Sequence, residues 1–198
     1  MKIGQNIAIA FFCPKYLNSI SHHLWRNIVS VILYDNMIDV AIEAAKQAGA
    51  LAYQYFKKTR KVRYKADKSP VTIADIAAEK LIRKIITKNF PDHGIIGEEL
   101  PPVNPKSLPA GRQAKYQWII DPIDGTRDFI RGIDAWGTFV SVTENGKPII
   151  GIIYYPYINE LCAAEKGKGA FINGKRTRVS KINNLEFALV SHSAISHF

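Results

Sequence analysis

Two carboxylates stand three residues apart in the stretch Trp118-Ile119-Ile120-Asp121-Pro122-Ile123-Asp124-Gly125-Thr126. The apolar run Trp118 to Ile120 has the length and β-branched content of a buried strand. Pro122 has no N–H to continue a ladder, so the strand is expected to stop at Asp121. Both acids then sit at a strand end, on a turn stiffened by proline. Gly125 allows close backbone approach, and Thr126 adds a hydroxyl. Hard divalent cations such as Mg²⁺ take oxygen ligands of this kind, usually a few carboxylates together with phosphate and water. The alternative is a plain turn, because Asp-Pro and Asp-Gly pairs are ordinary turn chemistry.

The full string Asp-Pro-Ile-Asp-Gly-Thr is more specific than its parts. It resembles the signature of the inositol monophosphatase family of metal-dependent phosphatases. Gly97-Glu98-Glu99, after the apolar pair Ile95-Ile96, resembles the family's Gly-Glu-Glu. Ser69-Pro70-Val71-Thr72-Ile73-Ala74-Asp75 resembles the stretch that carries its helix-borne aspartate. The resemblance covers about residues 37 to 191 and keeps the three motifs in order.

The resemblance implies a phosphomonoesterase that uses Mg²⁺ to activate water. Glu98, Asp121 and Asp124 would be side-chain metal ligands, with the carbonyl of Ile123 as a further one. Asp75 and Thr126 would be the catalytic pair that orients the attacking water. Glu98, Ile123, Asp124, Gly125 and Thr126 would face the substrate, with the N–H groups of Gly125 and Thr126 on its phosphate. Without a cation, the carboxylates of Asp75, Glu98, Asp121 and Asp124 would repel or take up protons, which is a separate reason to expect a metal. Capping alone would also account for Asp75. Lys65 and Lys68 read as solvated loop lysines, with assistance to the phosphate as the alternative.

The elements that must position these residues follow in order. Residues 1–36 do not resemble the family and are expected to be an appended or mis-called leader. A real extra helix around Leu24 to Tyr34 is the alternative. From Met37, the residues Val40, Ala41, Ala44, Ala45, Ala48, Leu51, Ala52 and Tyr55 recur at helical spacing. A second helix starts at Thr72, which forms a capping box with Asp75. Ile73, Ile76, Ala77, Leu81, Ile82, Ile85 and Ile86 are its expected apolar face, and Pro91 closes it. Leu100 to Tyr116 reads as an exposed loop. Helix is permitted from Thr126 to Ile130, with Asp128 in its first turn and Asp134 beyond it.

Thereafter the pattern is β. Trp136–Thr143 and Ile149–Tyr155 flank the hairpin signal Glu144-Asn145-Gly146-Lys147. Leu161–Ala164 is another strand, a second Asn-Gly follows at Asn173-Gly174, and a last strand is expected from Glu186 to Ser191. The glycines of residues 166–174 do not match a phosphate-binding loop. The fold class is α+β: two helices on a mostly antiparallel sheet, over residues 37–198.

The charge of +10 comes from 27 basic and 17 acidic residues. The basic residues are dispersed, and the cluster Lys57-Lys58-Thr59-Arg60-Lys61 suits a helix end. No nucleic-acid-binding signature appears. Cys13 and Cys162 imply neither a disulfide framework nor a zinc site, which fits a reducing cytoplasm. The run Ile7 to Cys13 is too short to span a membrane. A small phosphorylated substrate is the expected partner, with no nucleic acid and no membrane, and a homodimer is left open.

The substrate cues diverge. Trp136-Gly137-Thr138, after Phe129-Ile130 and Gly132, resembles histidinol-phosphate phosphatases of the family. Residues 165–174 resemble the inositol-1-phosphate enzymes, and inositol-1-phosphate is the leading expectation. Trp25, Trp118 and Trp136 are not followed by Asp, so the family's late Trp-Asp motif is missing from these residues. The chain is therefore expected to be C-terminally truncated and to have little or no activity alone. An inactive fragment or an interaction module is the reading from another class.

Overall fold

The computed structural model describes residues 22–58, 62–66, 70–105, 108–109 and 112–189, with side chains from residue 36 onward. Helix α1 runs His22–Lys58 and α2 Ile73–Asn89. Strands β1 (Val62–Tyr64) and β2 (Pro70–Thr72) form a small antiparallel pair between them. The main sheet has seven strands in sequence order. These are β3 (Gly94–Gly97), β4 (Tyr116–Asp124), β5 (Gly137–Glu144), β6 (Lys147–Tyr155), β7 (Glu160–Glu165), β8 (Gly169–Ile172) and β9 (Lys175–Thr177). Only β3 and β4 pair in parallel, and the short helix α3 (Thr126–Arg131) follows β4. The α+β expectation therefore holds.

Helix α1 starts earlier than its periodic face. Its backbone is continuous from His22, not from Met37, so Leu24 to Tyr34 are helical; residues 1–21 lie outside the described residues. From Met37, the buried side chains are Met37, Val40, Ala41, Ala44, Ala45, Ala48 and Ala52, while Leu51 and Tyr55 are half-buried. The alanines let α1 lie close on the sheet. A Cβ on Gly49 would come within 2.7 Å of the Tyr154 ring on β6. No helix among the described residues is long and apolar enough to cross a membrane.

Helix α2 buries a different stripe from the expected one. Ala74, Asp75, Ala78, Glu79, Ile82, Ile85 and Ile86 face inward. Ile73 is exposed, and Ile76, Ala77 and Leu81 are half-buried. The helix has turned so that two acids share its buried face, which hydrophobicity alone does not reveal.

Both helices cover one face of the sheet, where Trp118, Ile120, Val140, Val142, Ile150 and Ile152 join the core. Ile119 points to the other face and is 45% exposed, so the apolar run 118–120 is not buried throughout. Nor does β4 stop at Asp121. It continues to Asp124 through a register shift, pairing Asp121 with Phe139 and then Asp124 with Gly137. Pro122 breaks the ladder locally, the strand bulges, and the Thr138 hydroxyl donates to the Pro122 carbonyl at 2.9 Å. The Asn145-Gly146 and Asn173-Gly174 hairpins carry the positive φ such turns need. The expected last strand is absent from 186–189. Residues 185–187 form a 3₁₀ turn capped by Asn184, and 190–191 lie outside the described residues. In the loop after β3, Val103 bridges antiparallel to Ile95, although much of the loop is exposed.

His93 sits under the β3–β4 end of the core. It stacks on Phe90 at 4.7 Å, and its Nδ1 accepts from Trp118 Nε1 at 3.0 Å. Burial lowers the imidazole to about 4, against a small opposing pull from Asp92. A depressed histidine stabilises the fold above its unfolded value of about 6.5, and that contribution is lost as pH falls toward 4. His93→Gln keeps an acceptor for Trp118 and cannot charge. Its stability relative to wild type should rise by about 1 kcal/mol between neutral and acid pH, after discounting solvent screening. Urea unfolding across that range reads it, and parallel curves for the two proteins would contradict it.

Candidate active site

Three elements bring the candidate residues together. The capping box at the start of α2 fixes Asp75: its Oδ2 accepts from Thr72 N at 2.8 Å and from the Thr72 hydroxyl. Asp75 is buried, and burial raises its carboxyl, with the Thr72 hydrogen bonds opposing. Its other oxygen, Oδ1, lies 3.5 Å from Thr126 Oγ1. The Thr126 hydroxyl also lies 3.1 Å from the Ile123 carbonyl. One hydroxyl proton thus has two acceptors, and the shorter contact is to Ile123.

The bulge in β4 presents the acids. Asp121 Oδ1 accepts from Ile123 N at 3.1 Å, which ties the carboxylate to its own turn. Burial, then the neighbouring Glu98 charge and a hydrogen bond with it, then Asp124, push the Asp121 carboxyl up to about 8. Asp124 is raised too, by burial and by Glu98. Gly125 has φ of +93°, and a Cβ there would lie 2.8 Å from the Ala135 carbonyl oxygen. Glycine is therefore required on two grounds at the junction into α3. Gly125→Ala should cost about 1–2 kcal/mol for the left-handed backbone plus the price of the clash. Gly146→Ala, with φ of +76° and open space around it, should cost only the first part. Equal urea midpoints for the two variants would show that the close approach to Ala135 costs nothing.

Glu98 follows β3. Lys65 Nζ lies 3.2 Å from Glu98 Oε1 and 2.9 Å from Glu99 Oε2. Lys65 is thus an ion-paired residue of the site rather than a solvated loop lysine. Burial would lower its ammonium, but hydrogen bonds to Glu99 and Glu98 outweigh that and raise it. Burial raises the Glu99 carboxyl, against the pull of Lys65. Lys68 lies outside the described residues. Asp128 is in the first turn of α3, and Asp134 is in the exposed loop beyond it.

Among the described residues, no three Asp, Glu, His or Cys side chains converge as a preformed metal centre. The donor set nevertheless suits a hard divalent cation. It consists of oxygen ligands only, and Asp121 is raised first by burial and then by the nearby charges of Glu98 and Asp124. Glu98, Asp121, Asp124 and the Ile123 carbonyl would hold such an ion. A groove of about 750 Å³ runs along the face of the sheet opposite the helices, lined by Ile119, Phe139, Ile153 and Phe171 and reaching Glu98 and Asp121.

Sequence reasoning missed Glu79 and Arg83. Glu79 is wholly buried and paired with Arg83 at 2.7 Å. The signal was present in the i, i+4 acid–base spacing on α2, but that spacing equally describes a solvated pair.

The chain matches the model of the inositol monophosphatase family over residues 33–197. It is 42% identical over 146 residues to a histidinol-phosphatase of Chlorobaculum parvum, covering 73% of this chain and 54% of the relative. It is 38% identical to inositol monophosphatase 2 of Solanum lycopersicum, covering 79% and 58%. Among solved structures, it superposes on the extragenic suppressor protein SuhB of Bartonella henselae with a TM-score of 0.69 and 32% identity, covering 74% of this chain and 55% of that one. The IMPase of Thermotoga maritima gives a TM-score of 0.65 and 34% identity, over 74% and 54%. The chain thus spans little more than half the length of these relatives. With the three motifs, the site they build and these likenesses agreeing, the chain belongs to the inositol monophosphatase family.

Proposed function

We propose that this chain carries the cation-binding part of a Mg²⁺-dependent phosphomonoesterase acting on a small polyol phosphate, inositol-1-phosphate foremost, in the cytoplasm. The observation that carries the reading is that the β4 bulge and the loop after β3 bring Asp121, Asp124 and Glu98 near one another, beside the Asp75–Thr126 pair. Glu98, Asp121, Asp124 and the Ile123 carbonyl would hold the cation. When bound, it supplies charge neutralisation at the phosphate and acidifies water. The remaining steps belong to side chains of this chain. Thr126 Oγ1 accepts a proton from the attacking water and passes its own to Asp75 Oδ1. Asp75 suits that task because burial raises its basicity. The Thr72 bonds hold the other carboxylate oxygen, so Oδ1 stays turned to Thr126. The backbone N–H groups of Gly125 and Thr126 take the phosphate oxygens.

Histidinol phosphate is the second reading, favoured by the 42% identity to a protein named histidinol-phosphatase. The test measures phosphate released from inositol-1-phosphate and from histidinol phosphate, with Mg²⁺ and with chelator, by the chain completed with the C-terminal portion of a relative. Release that requires both Mg²⁺ and Asp121 is expected. Release that persists in Asp121→Asn, or with chelator, would overturn the proposal.

A further inference from the structure

We infer that the buried Glu79–Arg83 pair of α2 is the positioning bracket for Glu98, setting where its carboxylate meets the cation. The inference rests on the proposed metal role of Glu98. Glu79 stands one turn after Asp75 on the buried face of α2. Both of its oxygens are used by the loop after β3. Oε2 accepts from Glu99 N at 2.7 Å, and Oε1 accepts from Leu100 N at 3.1 Å. Arg83 Nε donates to Oε1 at 2.8 Å, and Arg83 Nη2 donates to the Leu100 carbonyl at 2.8 Å. The residue before Glu98 is pressed on the same carboxylate. A Cβ on Gly97 would fall 2.1 Å from Glu79 Oε1.

The backbone is thus pinned on both sides of Glu98, while the Glu98 side chain is 44% exposed and meets Lys65 at 3.2 Å and the Asp121 carboxyl. For a side chain this exposed, the position of its backbone sets its reach. A buried ion pair contributes little net stability over an apolar pair of similar volume. Its arrangement around this one loop is accounted for by placement. A single helix then sets two parts of the site, Asp75 through its cap and Glu98 through Glu79.

The test is Mn²⁺ binding to the full 198-residue chain, read from the free-ion EPR signal, with circular dichroism for the fold. Glu79→Gln keeps the volume but leaves one oxygen for two backbone donors. Its Mn²⁺ dissociation constant should weaken by about tenfold or more, as for other groups that orient a metal ligand. Hydrogen exchange at the Glu99 and Leu100 amides should accelerate in the same variant. Ile82→Val, a core trim on the same helix, should lower the melting temperature without moving the dissociation constant. If Glu79→Gln does not fold, Arg83→Lys decides. It keeps the charge but loses the Leu100 link, and should weaken Mn²⁺ binding in the same direction. Wild type that binds Mn²⁺ alongside a folded variant of equal affinity would overturn the bracket alone. Wild type that binds no Mn²⁺ would overturn the metal reading, and the bracket with it.

Discussion

Asp121→Asn should invert the order of stability between cation-free and cation-loaded protein. In the cation-free fold the Asp121 carboxyl is pushed up to about 8, first by burial and then by Glu98 and Asp124. Its unfolded value is about 3.9. An acid raised in this way stabilises the fold below the unfolded value, and that contribution is lost as pH rises through about 8. Cation-free wild type therefore carries a penalty at neutral pH, and asparagine removes it while keeping an N–H donor for Glu98. Relief of this kind at a functional site commonly yields about 0.5–2 kcal/mol. Mg²⁺ should reverse the order. At a hundredfold excess over its dissociation constant, it adds about 2.7 kcal/mol to a protein that binds it. The variant should gain little. Thermal unfolding in chelator and in millimolar Mg²⁺ reads both halves. A variant less stable than wild type in chelator, or one that gains the same increment from Mg²⁺, would contradict the arrangement.

Under the proposed function, Thr126→Ala and Glu98→Gln should fail in different ways in a completed version of this enzyme. Thr126 offers its hydroxyl to Asp75 and to the Ile123 carbonyl, at 3.5 Å and 3.1 Å, and brings no charge to the cation. Losing it removes proton transfer, which is typically a factor of about 10²–10⁴ in rate. The Mg²⁺ midpoint should hardly move. Glu98 brings a charge that Asp121 and Asp124 both feel. Glu98→Gln should therefore shift the Mg²⁺ midpoint to higher concentration as well as slow turnover. Steady-state rates against Mg²⁺ concentration separate the two. A common midpoint would mean that the roles of Thr126 and Glu98 are wrongly divided.

What the sequence by itself determined is local. The capping box at Thr72 and Asp75 follows from residue types three apart, because a cap needs no partner from elsewhere in the chain. The Asn-Gly hairpins follow from backbone preference. The Asp-Pro-Ile-Asp-Gly-Thr string and Gly97-Glu98-Glu99 read as parts of one site, and they stand near one another in the fold. Tertiary structure decided what depends on long-range pairing. Pro122 reads as a strand end, yet β5 supplies Gly137 to pair beyond it and Thr138 to satisfy its carbonyl. Ile119 belongs to an apolar run, yet the helices cover only the opposite face of the sheet. Lys65 reads as a solvated loop lysine and Glu79 carries no sign of its role, because nothing within a few residues of either one reveals its long-range partner. Lys65 meets Glu98 across 33 positions, and Glu79 meets the Glu99 amide across 20. A buried charge is tolerated only where its partners arrive, and the fold alone brings them there.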